Sequence, residues 1–500
     1  MRLEKRREIM TFKLRDYQES AVDACMEYID SKEKRPGVVV APTAAGKSWI
    51  IAEIATRYPD QILVLQPSVE LLFQNHDKFT FLGGEASLYS DSAKSKEIGH
   101  VTYGILASVK KKAKEFREKG VKLLIIDECH FGIDPKADSM FKKFVEELKP
   151  KKVIGLTATP FRLKTNGQGA RLVMLNRMKP GYFRHFIHVT QIQEMIDRGF
   201  WCPSSDEMWE MDEDKLVLNS KGTEFTDKSI IEAVKANGIN NSIFLRIREL
   251  LRNNRRKSIL VFVDSVDTAE TFCKHVPGSE FVHGKLSDKK RASIIQGFKS
   301  GDIPVVFNYG VLTTGFDHPE LDCIIVGRPT NSLALFYQIY GRGVRISEGK
   351  EDFLFIDYCN NFKRLGHPRD LVIEDFPGHG WNVFNKDRLV STVYLDAPPV
   401  TKKDLEEEND NIDYDMVFPF GKFKDKKVST ICKSKPWYID FLLKQDWLDP
   451  VFREKMIAIS NHVQINISKL PSKAEPVDEV RLRPLTPKDC FKPYRGPLEM

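Results

Sequence analysis

The sequence contains no CxxC pair. Its eight cysteines, Cys25, Cys129, Cys202, Cys273, Cys323, Cys359, Cys432 and Cys490, are scattered over 500 residues. That spacing argues against a zinc ribbon and against a disulfide framework, and leaves reduced thiols that fill core space. No apolar run approaches the roughly 20 residues that span a bilayer. The opening MRLEKRREIM lacks the apolar stretch of a secretory signal. A cytoplasmic location without a membrane partner is therefore expected. There is no repeat of solenoid length and no acidic constellation of an exonuclease. Nor is the charge one-sided: 77 Lys and Arg against 70 Asp and Glu leave +7. This permits a nucleic-acid partner without establishing one, because the placement of the charge decides. The basic clusters at Lys110 to Lys114, Arg255 to Lys257 and Lys289 to Arg291 read equally as solvated faces.

What is present is a repeating alternation. From about residue 11 to 190, the apolar runs GVVVA (37–41), ILVLQ (62–66), LLIID (123–127) and VIGLT (153–157) lack period-2 alternation. They read as strands buried on both faces of a parallel sheet, and the stretches between them are long enough for crossover helices. The pattern resumes with SILVFV (258–263), VVFNY (305–309), CIIVG (323–327) and FLFID (353–357). The expected class is α/β with two large parallel-sheet domains and a small C-terminal accessory module. The boundaries are placed at 1–200 for the first domain, 201–240 for a connecting segment and 241–365 for the second domain. A linker at 366–415, the module at 416–465 and an extended tail at 466–500 complete the reading, the tail being a place for a protein partner to dock.

One junction carries chemistry. The strand GVVVA runs into PTAAGKSWIIAEIA, so Gly46-Lys47-Ser48 opens a helix after a loop of small residues. Pro42, Thr43, Ala44, Ala45 and Gly46 let backbone amides approach phosphates, and the helix N-terminus favours their charge. Lys47 reaches the β- and γ-phosphates and Ser48 ligates Mg²⁺. Alanine at 41 stands where the generic pattern has its first glycine. A second strand ends in Asp127-Glu128, placing one carboxylate for Mg²⁺ and one as general base for the attacking water.

In order and spacing across about 11–360, the motifs resemble those of superfamily 2 helicases of the DEAD/DEAH-related group. LRDYQESA resembles the adenine-recognising motif, with Gln18 on the base edge and Arg15 nearby. APTAAGKS, QPSVELLFQN, the segment from Thr102 to Ser108, DECH and TATPFR resemble motifs I, Ia, Ic, II and III. LVFVDSVDTAE, NYGVLTTGFDHPELD and QIYGRGVR resemble motifs IV, V and VI. The resemblance implies two tandem RecA-like domains. ATP and Mg²⁺ are the implied cofactors, with Gly315 and Asp317 beside the nucleotide. Lys47, Asp127, Glu128, Gln338, Arg342 and Arg345 are the catalytic set, the two arginines reaching across the cleft. Ser68, Thr102, Ser108, Thr313 and Thr314 are the implied contacts to a nucleic-acid backbone, each with a helix-cap or turn role as the alternative.

In finer detail the chain resembles RadD-like repair helicases and the phage branch-migration helicases of UvsW type. That resemblance implies forked or branched DNA as partner, in a bacterial or phage-infected cell. The cysteine zinc site that RadD-like proteins carry after the motor has no counterpart here. Residues 416–460 instead resemble a small module found at the C-terminus of ExoX-group exonucleases. Lys422, Lys424 and Lys426 with Phe420 and Phe423 would bind nucleic acid by charge and stacking. After motif III, Phe161, Arg162 and Lys164 are candidate contacts near a duplex junction. An RNA helicase, the translocase part of a restriction system and a nucleotide-regulated scaffold without turnover are the competing readings.

Overall fold

The computed structural model describes residues 13–131, 139–166, 169–178, 181–253, 255–312, 315–394, 397–410, 415–443, 445 and 448–468. Thr313, Thr314 and most of the expected tail lie outside the described residues. The chain divides into two compact units. One runs to Ile373 and takes in Val383–Lys386 and Val390–Ala397. The other comprises Glu374–Asn382, Asp387–Leu389 and the chain from Pro398 on.

The first unit holds two α/β lobes. Helix α1 (Asp16–Asp30) precedes β1 (Gly37–Val40), α2 (Lys47–Arg57), β2 (Gln61–Gln66) and α3 (Val69–Phe81). Then come β3 (Ala86–Ser90), β4 (Ser95–Lys96), β5 (Val101–Ile105), β6 (Val121–Ile126), β7 (Lys152–Thr157), the pair β8 (Phe161–Asn166) and β9 (Gly169–Met174), and β10 (His185–Val189). The first sheet has the order β10-β1-β7-β6-β2-β5-β3-β4. Its central strands are parallel, with Val40 opposite Thr157 and Leu65 opposite Ile126. The four runs picked out from sequence form β1, β2, β6 and β7, and Val38, Leu63, Leu124 and Ile154 are fully or almost fully buried. Burial on both faces explains the missing alternation.

The second lobe is a six-stranded sheet of order β11-β16-β15-β12-β14-β13. Its strands are β11 (Ser204–Met208), β12 (Ile259–Phe262), β13 (Glu280–His283), β14 (Val305–Tyr309), β15 (Cys323–Val326) and β16 (Phe353–Asp357). All its pairings are parallel. Helices α4 (Asp227–Ala236), α5 (Ile239–Arg252) and α6 (Leu333–Tyr340) belong to this lobe.

Residues 201–240, expected as a connection, are part of the second domain. β11 is its edge strand, with Ser204 opposite Phe353, and Ile230, Ala233 and Val234 of α4 enter its core. The polar character of SSDEM reflects an edge strand exposed on one side, which reads like a loop. Residues 366–415, expected as a linker, contain the strands Leu371–Phe376, Gly380–Asn385 and Arg388–Leu389 and the helix Lys402–Asp410. The module has its own core, in which α7 (Val428–Ser434), α8 (Pro436–Leu442) and α9 (Pro450–Ser468) surround Phe418, Ile439 and Met456. Among the described residues no helix is long and apolar enough to cross a membrane.

His318 ties the segment before β15 to Ser258, just ahead of β12. It is 2 % exposed, and its Nε2 lies 2.8 Å from Ser258 Oγ. Burial brings its pKa down from 6.5 to about 4, against the pull of Glu320 and with smaller effects from Lys299, Lys350 and Asp317. The unfolded chain therefore takes up a proton at a pH where the folded chain does not. The stabilisation is complete above pH 6.5 and is lost as pH falls toward 4. Thermal melts between these limits are expected to show the melting temperature dropping with pH, and His318→Asn to flatten part of that slope. Parallel slopes for the two proteins would contradict the assignment.

Candidate active site

The C-terminal edges of the parallel strands place the chemistry, as in other open α/β sheets. β1 leads into the phosphate loop and α2 leaves it. Ala44 and Gly46 sit at φ +62° and +78°, a curl that aims successive amides at one point. A Cβ on Gly46 would come 2.4 Å from Gln18 Nε2. β6 ends at Asp127-Glu128, and Glu128 adopts φ +47°, a strained conformation for a carboxylate residue.

The lobes meet over a cavity of about 250 Å³. From the first lobe it is lined by Arg15, Pro42, Thr43, Ala44, Gly46, Lys47, Ser48, Asp127 and Glu128, and from the second by Gly315, Asp317, Gln338, Arg342 and Arg345. All of the expected catalytic set, and all of the expected nucleotide contacts except two, therefore line one cleft. The exceptions are Gln18 and Ala45. Gln18 is 5 % exposed. Its Nε2 donates to Ala45 O at 2.9 Å and its Oε1 accepts from Arg15 N at 3.0 Å. It braces the phosphate loop rather than presenting an edge to a base. Ala45 is fully buried and supplies the carbonyl for that brace.

Lys47 Nζ lies 3.1 Å from Glu128 Oε1. Burial works against Glu128 ionising, but the Lys47 ammonium and His130 hold its carboxyl well below the usual range. Asp127 goes the other way: burial and the adjacent Glu128 charge push it up to about 6. Asn75 Nδ2 donates to Asp127 Oδ2 at 2.8 Å, and Glu128 N donates to Oδ1 at 2.9 Å. The two oxygens of Asp127 are thus held in place, and hard oxygen donors from Asp127 and Ser48 suit Mg²⁺ completed by phosphate oxygens and water. Among the described residues there is no group of three or more His, Cys, Asp or Glu side chains for a metal, which this type of site does not require. A bound Mg²⁺ would neutralise developing phosphate charge.

The second lobe closes the site through interactions that the sequence did not reveal. Gln338 Nε2 lies 3.2 Å from His130 Nε2, and His130 Nδ1 lies 2.8 Å from Thr157 Oγ1 and 3.3 Å from Glu128 Oε2. Gln74 donates to Asp317 Oδ2 at 3.3 Å, and Arg345 Nε sits 3.0 Å from Asp317 Oδ1. Arg342 and Arg345 both donate to Phe316 O, at 2.6 and 3.2 Å. Burial, with Arg345 alongside, brings Arg342 down to about 9, so it stays charged at neutral pH. Thr43 is held on both sides of its peptide: its N–H donates to Tyr337 OH at 3.2 Å, and Trp201 Nε1 donates to its carbonyl at 3.0 Å. A Cβ on Gly341 would meet Thr43 Oγ1 at 2.4 Å. Phe200, against which Arg15 stacks at 4.2 Å, also lines the cleft with Trp49, Gln74 and Lys78. Tyr337 and Gln74 lie inside the quoted motif neighbourhoods, whereas Phe200 and Trp201 carried no sequence signal.

Four of the expected nucleic-acid contacts are placed elsewhere. Thr102 is fully buried in β5, with its hydroxyl on the Gly99 backbone. The Ser108 hydroxyl is engaged by Asp91. Phe161 is 2 % exposed. Arg162 Nε donates to His130 O, tying the β8–β9 hairpin to the acidic motif. Ser68 caps α3, accepting from Leu71 N at 3.3 Å, and lies beside Gly315. The cap alternative thus describes its hydroxyl in this structure.

This arrangement defines a two-lobed P-loop nucleotide hydrolase. Residues 11–162 match the family described as type III restriction enzyme, res subunit, and residues 242–347 match the helicase conserved C-terminal domain. The chain is 28% identical over 399 residues to a putative mitochondrial ATP-dependent helicase of Schizosaccharomyces pombe, covering 75% of this chain and 62% of that protein. It is 26% identical to the DNA 3'-5' translocase XPB2 of Sulfurisphaera tokodaii, covering 66% of this chain and 78% of that one. A fragment of a putative type I restriction HsdR subunit from Vibrio vulnificus shares the fold, with TM-score 0.53 and 24% identity over 71% of this chain and 66% of that chain. The chain carries the two-domain ATPase core of the superfamily 2 helicases.

Lys47→Ala and Glu128→Gln are each expected to lower ATP hydrolysis by about a hundredfold or more, from loss of phosphate binding and of the general base. Tyr337→Phe tests the hydrogen bond to Thr43. Steady-state kinetics are expected to show kcat down about fivefold with KM for ATP changed much less, the worth of one hydrogen bond made in the closed state. An unchanged kcat would remove Tyr337 from the positioning residues.

Proposed function

We propose that this protein is an ATP-driven DNA translocase that unwinds or branch-migrates forked and recombination-type DNA in repair, recombination or replication. We place it in the cytoplasm of a bacterial or phage-infected cell. The observation that carries the motor reading is the cleft itself. Lys47, Asp127 and Glu128 from one lobe and Gln338, Arg342 and Arg345 from the other line a single cavity.

On this reading the phosphate loop and Lys47 hold the triphosphate, Asp127 and Ser48 hold Mg²⁺, and Glu128 takes the proton of the attacking water. Lys47, paired with Glu128 in this structure, turns to the phosphates on this reading, which frees the carboxylate and restores its basicity. Arg342 or Arg345 leaves Phe316 O to meet charge developing on the transferred phosphoryl group. Loss of the γ-phosphate removes a bridge between lobes, and the nucleic acid lying across them is handed along. Ser68 and the Thr313–Thr314 segment remain the proposed backbone grips.

DNA is favoured over RNA by the relation to a protein named as a DNA translocase, aligned over most of its length. The match of residues 11–162 to a restriction-enzyme family supports a second reading, the translocating part of a restriction system.

Steady-state ATP hydrolysis with single-stranded, duplex, forked and four-way DNA and with RNA separates these readings, with Lys47→Ala as control. Strongest stimulation by branched DNA, lost in the control, is the expected result. Stimulation by RNA alone overturns the DNA substrate, and stimulation by plain duplex without preference for junctions favours the restriction-type translocase.

A further inference from the structure

The accessory module carries a surface that the motor does not account for. Residues 422–435 include six lysines, Lys422, Lys424, Lys426, Lys427, Lys433 and Lys435, against the one acid Asp425. All six are exposed. Among the described residues only Lys427 has an ion-pair partner, Asp415. An uncompensated run of this density needs a folded support if it is to act as one surface, and the module supplies it. The loop from Met416 to Val428 closes on itself through Phe418 N to Lys426 O at 3.0 Å, Asp425 N to Phe418 O at 2.8 Å and Val428 N to Met416 O at 2.9 Å. Gly421, at φ +75°, lies so close to α8 that a Cβ there would come 2.6 Å from Tyr438 OH.

The same packing decides which aromatic ring is available. Phe420 and Phe423, expected to stack on bases, face inward instead. Phe420 packs 5.4 Å from Phe452 and Phe423 4.7 Å from Tyr438, both against the module's core. Among the described residues of the module, the exposed ring is Trp437. It is 44% exposed and meets Tyr438 edge-on, at 5.7 Å and 84°. Nearly half of its surface is open to solvent. Tyr438 joins the two halves of the surface, touching the lysine loop through Phe423 and Gly421 and adjoining Trp437 in sequence. Lys433 and Lys435 precede Trp437 by four and two residues.

We infer that the Lys422–Trp437 face of the C-terminal module binds a single strand of nucleic acid, the lysines holding successive phosphates and Trp437 stacking on a base. The charge argues for a polyanion, and the exposed indole argues for unpaired bases, since duplex bases offer no free face. The lysines are flexible point charges suited to sequence-independent phosphate binding. This surface is independent of ATP hydrolysis and needs no nucleotide to form.

The test uses the full-length chain. An oligothymidylate carrying 5-iododeoxyuridine is photocrosslinked to the protein, and the adduct is mapped by mass spectrometry in the wild type and in Lys47→Ala. An adduct on Trp437 or the adjacent peptide is expected in both, which separates this inference from the motor reading. In binding titrations, Trp437→Ala is expected to weaken affinity about fivefold or more, the value of one stacked base. Lys433→Glu with Lys435→Glu is expected to reduce the slope of log affinity against log salt by about 0.7 for each phosphate that the variant no longer neutralises. Both sites are exposed, and a melting temperature equal to wild type establishes that the variants fold. Adducts confined to residues before Ile373 with unchanged affinity overturn the inference. So does equal competition by polyglutamate without loss in Trp437→Ala, which marks a general anion patch. An oligouridylate bound as well as oligothymidylate supports the surface and shows that it ignores the sugar.

Discussion

The peptide unit of Thr43 is where the two lobes are joined. Its N–H and its carbonyl are each taken by an aromatic side chain, Tyr337 from the second lobe and Trp201 from the crossing between the sheets. Gly341 completes the junction by having no Cβ to clash with the Thr43 side chain. Residues 44–48 immediately follow in the phosphate loop, so any movement of α6 or of the crossing segment acts on the loop through a backbone already fixed at one end. A buried backbone group that loses its partner costs more than an average hydrogen bond is worth. Parting the lobes at this point exchanges both hydrogen bonds for bonds to water.

Charge is managed in the same small space by separating roles. Asp127 and Glu128 are consecutive and both buried, yet their surroundings push them in opposite directions. Lys47 and His130 favour the Glu128 carboxylate, while for Asp127 burial and its neighbour's charge outweigh Lys47, the Asn75 amide and the Glu128 N–H. A dication beside Asp127 would offset that penalty. Across the cleft, Arg342 and Arg345 share the Phe316 carbonyl, with Asp317 beside Arg345. Both guanidiniums thus point at one place in the cleft, where a phosphoryl group would be a charged partner for either.

Much of this was legible from residue patterns because it depends on local chemistry. Eight apolar runs became eight central strands, since a strand buried on both faces has no freedom to be polar. The phosphate loop and acidic motif were legible for the same reason: few other residues could serve. The failures share a cause too. β11 looked like a connection because an edge strand tolerates SSDEM. Ligand contacts were expected of Gln18, Thr102 and Ser108 from motif resemblance and of Phe161 from its place after motif III, whereas in this structure Ala45, Gly99, Asp91 and the core are their partners. Asn75, Phe200, Trp201 and Tyr337 act through partners that are distant in sequence, and no spacing rule brings Trp201 to Thr43.

The module repeats this lesson with a different outcome. Its phenylalanines alternate with lysines in FPFGKFKDKK, a pattern that suggests rings and charges on one binding face. A unit of this size has too little apolar surface to leave three phenylalanines outside. Phe418 is fully buried, and Phe420 and Phe423 pack against the same core. The lysines are then forced outward by the alternation itself, and they gather on a loop whose conformation is set by Gly421 and Tyr438. Charge density on that face is thus a consequence of how the core closes. What that closure does not require is an exposed tryptophan two residues after Lys435. Burying it would have added to a small core, and its position outside is the feature that folding alone leaves unexplained.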